Sequence, residues 1–146
     1  MTKDKSKEPM NSRQTYFEVV RREEIPSLLQ HASPRILSLS HDASLAQTRE
    51  LLFSSAGFEV FTFLDIAKAL KACQTQSFDL VVVGHSIPLG SREAFVKELR
   101  RLSSAPVIAI LRPGELHLAG SDYSFDSALS PGLLLGMVKE IFRSKI

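Results

Sequence analysis

Residues 78–90, FDLVVVGHSIPLG, set the frame for the whole chain. Leu80, Val81, Val82 and Val83 form a short continuous apolar run, the pattern of a strand buried on both faces of a parallel sheet. Gly84, His85 and Ser86 follow at its C-terminal end, before Pro88 and Gly90 break the structure. In open α/β sheets, ligands and chemistry sit just outside the C-terminal ends of the strands. A working site is therefore expected here, built from a residue without a side chain, an imidazole and a hydroxyl.

Upstream, residues 36–40 are apolar at alternate positions and read as a first strand. Asp42 or Ser44 can cap the helix that follows, and Ser44 with Gln47 makes a capping box. Leu45, Leu51, Leu52 and Ala56 supply its inward face, and Gly57 stops it. Residues 58–63, FEVFTF, are β-branched or aromatic at five of six positions and predict a second strand. Asp65 caps a second helix with Ile66, Leu70 and Cys73 inward, so Cys73 reads as a small buried hydrophobe.

Downstream, Ser91 is placed as the cap of a third helix, with Glu93 in its first turn. Phe95, Leu99 and Leu102 line one face; Lys97, Glu98, Arg100 and Arg101 make a solvated one. Residues 106–111 are a fourth strand, ended by Arg112, Pro113 and Gly114. Residues 115–125 carry little pattern and leave room for about two turns of helix at most. Residues 127–129 are read as a short fifth strand. Ser130 and Pro131 open a last helix as cap and first helical residue, with Leu133, Leu134, Met137, Val138, Ile141 and Phe142 as its stripe. Five β/α units in alternation argue for a doubly wound, flavodoxin-like parallel sheet of order 2-1-3-4-5.

Three segments follow: a polar tail, 1–14; an N-terminal extension, 15–33; and the α/β domain, 34–146. The net charge of +2 comes from the tail, which holds four basic and two acidic residues. The remainder is balanced, so it offers no electrostatic footprint for nucleic acid. No apolar run is long enough for a membrane helix, and the charged N-terminus lacks a signal-peptide core. Cys73 is the only cysteine, which fits a reducing compartment and a cytoplasmic protein.

From 34 to 142 the chain resembles the receiver domains of two-component response regulators, the CheY-like family. The resemblance is carried by RILSLSHD (35–42), FDLVVVGHSIP (78–88), APVIAIL (105–111) and ALSP (128–131). Pro88 falls where the family has a proline after its phosphoacceptor strand, and Pro131 where one follows its lysine. The second match makes Ser130–Pro131 a candidate cis peptide. The family's functional residues do not carry over. Its acidic pair falls on Ser40 and His41, with only Asp42 acidic nearby, and its phosphoacceptor aspartate falls on Gly84. Its hydroxyl residue falls on Leu111, its lysine on Ser130, and its aromatic switch on Ser127, with Tyr123 and Phe125 close upstream.

Receiver phosphorylation needs a carboxylate nucleophile and carboxylates that hold Mg²⁺. Glycine is no nucleophile, and serine and imidazole are poor Mg²⁺ ligands. The resemblance thus implies a degenerate, stand-alone receiver: no enzyme, no cofactor and no metal, acting through protein partners. Homodimerisation through residues 16–29 is one form of this. The chain ends just after its last helix, so no DNA-binding output domain is expected. Two alternatives stand beside it. His41 and His85, with Asp42 and Ser86, could form a crevice for an anion or small ligand, or the domain could still be phosphorylatable. Two imidazoles without a third clear ligand make a weak metal site. A G-x-S-x-G elbow, a P-loop and a G-x-G-x-x-G are all absent, which argues against hydrolase, nucleotide and dinucleotide chemistry. His31 and His117 fall in weakly patterned segments and are expected to be exposed.

Overall fold

The computed structural model describes residues 33–144. The expected extension, 15–33, lies almost wholly outside them, as does the 1–14 tail. Five strands, β1 (Arg35–Leu39), β2 (Glu59–Phe63), β3 (Leu80–Val83), β4 (Val107–Leu111) and β5 (Tyr123–Asp126), form one parallel sheet of order β2-β1-β3-β4-β5. Four helices accompany them: α1 (Ala43–Ser55), α2 (Ile66–Thr75), α3 (Leu89–Leu102) and α4 (Pro131–Ser144).

The period-two alternation of the strands sorts the core into two layers. Leu37, Leu39, Val81, Val83, Val107 and Ala109 face Cys73 of α2 and Phe95, Val96 and Leu99 of α3. Ile36, Leu80, Val82, Ile108 and Ile110 face Phe53 of α1 and Leu134, Val138, Ile141 and Phe142 of α4. The continuous apolar runs of β3 and β4 follow from this, since a central strand covered by helices on both sides has no wet face.

Several expectations shift. The first helix is capped by Asp42, whose carboxylate accepts from the Leu45 N–H at 3.1 Å; the Ser44 box is not formed. Its buried side chains are Ala46, Arg49 and Phe53, while Leu51 is 60% exposed. Leu45, Leu52 and Ala56 are half-buried, with Leu52 packed against the core, so Leu51 alone leaves the expected face and Ala46, Arg49 and Phe53 form its centre. The third helix begins at Leu89, after Pro88, which puts Ser91 inside the first turn and Glu93 in the second. Leu102 is 37% exposed. Arg100 is not simply solvated: it donates to the Ala105 and Gly120 carbonyls and pairs with Asp122 at 2.6 Å.

The fifth strand is Tyr123–Asp126 and not 127–129. Phe125, opposite Ile110, is buried, and its neighbours face outward, as suits a sheet edge. No helix forms between β4 and β5, so the strict alternation fails there. The fourth helical segment is α4 itself, with Leu133 57% exposed. Pro131 is its first residue as expected, but the peptide before it is trans, as are all described peptides.

The 112–122 connection is held by side chains in place of a helix. Arg92 of α3 is fully buried. Its Nε donates to the Ile87 carbonyl at 2.8 Å and one terminal nitrogen reaches the Ile110 carbonyl at 3.3 Å. Both terminal nitrogens grip the Glu115 carboxylate, at 3.0 and 2.5 Å. Leu118 is buried against the α2–α3 layer. Gly120 adopts φ +86°, and a β-carbon there would fall 2.8 Å from a Val96 methyl.

Candidate functional site

At the C-terminal edge of the sheet, β1 and β3 end side by side. The Gly84 N–H donates to the Leu39 carbonyl at 2.8 Å, and the Ser40 N–H to the Phe63 carbonyl at 3.1 Å. The two following turns are tied together by serines. Ser86 Oγ accepts from the His41 N–H at 2.9 Å and lies 3.0 Å from Ser40 Oγ. Ser40 Oγ accepts from the Asp42 N–H and donates to the Asp42 carbonyl, both at 3.1 Å. With the Ser40 proton committed there, Ser86 donates to Ser40. Both hydroxyls are thus consumed in joining the strand ends, and neither is poised as a nucleophile.

Gly84 is buried, and the space beside it is taken. A β-carbon at this position would lie 2.9 Å from Arg49 Nη1 and 2.9 Å from the Leu39 carbonyl oxygen. Arg49 reaches in from the buried face of α1 and is itself only 8% exposed. Its Nη1 has no hydrogen-bond partner, and its Nη2 stands 3.5 Å from His85 Nδ1, at the outer limit of a hydrogen bond. Burial lowers the Arg49 pKa, and the Asp42 carboxylate opposes that shift. Asp42 makes no ion pair within 4 Å of it. The guanidinium stays protonated at neutral pH.

His85 is half-buried among cations. Burial lowers its pKa first; the fields of Arg49, Arg112 and Arg92 lower it further, against a smaller opposing effect of Glu115. It is therefore a neutral imidazole at pH 7. Glu115 is held at about 2, chiefly by the hydrogen bonds from Arg92, with the Arg112 N–H adding to them.

His41 and His85 do stand at the ends of adjacent strands, but His41 and Asp42 point to solvent, and Ser86 is occupied in the serine bridge. Leu111 closes β4 in the core, and Ser130 is exposed before α4. His117 is exposed as expected, with Nδ1 at 2.8 Å from Ser124 Oγ; His31 lies outside the described residues. Cys73 is buried, and burial raises its thiol pKa. Among the described residues, no three His, Cys, Asp or Glu side chains group to hold a metal. None of their helices is long and apolar enough to cross a membrane.

Arg49, Arg92 and Glu115 were missed at the sequence level. Arg92 did leave a signal: it shares the i, i+3, i+4, i+7 stripe with Phe95, Val96 and Leu99. An arginine on an apolar stripe calls for a buried partner. Arg49 lies at the same spacing from Ala46 and Phe53, on a helix whose leucines obscure the stripe.

No family model matches the sequence, and no curated protein sequence matches it significantly. Solved structures do match. The CheY-like response regulator receiver domain protein from Methanospirillum hungatei JF-1 superposes with a TM-score of 0.69 at 19% identity, covering 78% of this chain and 97% of that one. The receiver domain of the Francisella response regulator 1452 gives 0.69 at 21% identity, covering 78% and 100%. An adenylate cyclase structure from Rhodopirellula baltica gives 0.68 at 17%, covering 77% and 90%. The strand order, the helices on both faces and these superpositions give the chain the fold of CheY-like response regulator receiver domains.

Proposed function

We propose that this protein is a signalling module of the response-regulator type that works by binding a protein partner without accepting phosphate on an aspartate. The observation that carries this reading is the Arg49–Gly84 contact. At the position where the receiver resemblance puts the phosphoacceptor there is no side chain, and a buried guanidinium fills part of the space one would use. No carboxylate among the described residues replaces it, since Asp42 faces solvent and Glu115 is committed to Arg92. Without a carboxylate nucleophile an acyl phosphate has no atom to form on. What remains is a folded scaffold with surfaces, and such a module would transmit a signal through contact.

Incubation of the full chain with acetyl phosphate and Mg²⁺, followed by intact mass spectrometry, tests this. The expected spectrum is unchanged, and beryllofluoride leaves the thermal midpoint where it was. A stoichiometric phosphoryl adduct would overturn the reading. Affinity capture with the full chain as bait, followed by reconstitution from purified components, tests the partner. Failure of any captured protein to bind directly would remove the contact model.

A further inference from the structure

Arg49 presents a cation that the fold leaves unbalanced. It is more than nine-tenths buried, its Nη1 is unpartnered, and no carboxylate among the described residues lies within ion-pair distance of it. A buried unpaired charge is strongly destabilising, and natural structures offset it with a counter-charge. Here the surroundings add positive field. His85 sits within the influence of Arg49, Arg92 and Arg112 together, and Arg92 is the only one of the three with a carboxylate gripping it from both terminal nitrogens. The acids nearby are Asp42, which caps α1, and Glu115, which is already taken.

We propose that the Arg49–His85 pair at the C-terminal edge of β1 and β3 is a non-covalent binding site for a small phosphate-type oxyanion, which opens when the two side chains part. Guanidinium N–H groups match oxyanions in charge and in planar geometry. The anion does not occupy the space over Gly84, where even a β-carbon would lie only 2.9 Å from Nη1. It enters from the side of His85. That ring is half-buried and stands 3.5 Å from Arg49 Nη2, and its outward rotation would uncover the guanidinium. Neutral His85 can then donate an N–H to the same anion. The serine bridge between Ser40 and Ser86 keeps the two turns fixed around the opening. This site is independent of the protein-contact reading, which would survive its loss.

The test is a titration of the full chain with inorganic phosphate against chloride at matched ionic strength, followed by amide and arginine side-chain NMR. Saturable shifts at Gly84, His85 and one arginine are expected, weakened at least about tenfold in Arg49→Met and less so in Arg49→Lys. Absence of saturation, or an unchanged titration in Arg49→Met, would overturn the proposal. Should Arg49→Met not fold, the wild-type arginine resonances decide: if none moves with phosphate, the site does not exist. Acetate binding as tightly as phosphate would overturn the ligand class. Comparing free phosphate with phosphoserine distinguishes a free anion from an ester as the source, the tighter one naming it.

Discussion

Arg92 and Glu115 meet through two parallel hydrogen bonds, at 3.0 and 2.5 Å, one residue fully buried in α3 and the other in the β4–β5 connection. Arg92 also bonds the carbonyls of Ile87 and Ile110, so one side chain clamps the ends of β3 and β4 to the connection that has no helix. Removing one partner of a buried pair costs more than the pair contributes, because the other charge is left desolvated. Glu115→Gln should lower unfolding stability by about 3 kcal/mol. Urea denaturation measures this. A change below about 0.5 kcal/mol, the range of ordinary surface substitutions, would show that the clamp is not structural.

The same pair fixes an acid-sensitive contribution. The folded Glu115 pKa is about 2 against an ordinary 4.5, so the group is more acidic folded than unfolded. Its contribution is complete above the unfolded value and disappears as pH falls from about 4.5 towards about 2. Wild-type stability should therefore fall more steeply across that interval than the stability of Glu115→Gln. Parallel curves in chemical denaturation at stepped pH would contradict the assignment.

Gly84 should tolerate no side chain. In Gly84→Ala the new carbon meets the tip of a flexible arginine, which can give way, and the Leu39 carbonyl, which belongs to the backbone and accepts the Gly84 N–H. The expected loss is about 1–3 kcal/mol, the usual cost of overpacking. Arg49→Met in the same background should recover only the part due to the guanidinium. Full recovery would place the whole strain on Arg49.

His85 should titrate below the ordinary histidine range. Burial is the larger cause and Arg49 the next, so Arg49→Met should raise the His85 pKa without restoring it fully. Because the folded pKa is depressed, the contribution of His85 to stability is complete above the unfolded value. It is lost as pH falls through the folded one. Imidazole resonances followed through a pH titration of both proteins measure this. An unmoved pKa in Arg49→Met would mean that the two side chains are not electrostatically coupled.

The sequence by itself determined the layered α/β fold and the sheet order. Runs such as LVVV at 80–83 and VIAIL at 107–111 can be satisfied only in strands covered on both sides. Residue identity alone removes a carboxylate from position 84. The edge was less legible: β5 is half-exposed, and Tyr123–Asp126 carries too few apolar residues to outweigh the turn residues around it. What only the tertiary structure decided is where two arginines go. Arg49 and Arg92 are long enough to leave their helices and reach the ends of strands far away in the chain, and helical spacing does not encode that reach. The space beside Gly84 is too narrow for a β-carbon, and only folding shows that a guanidinium takes part of it.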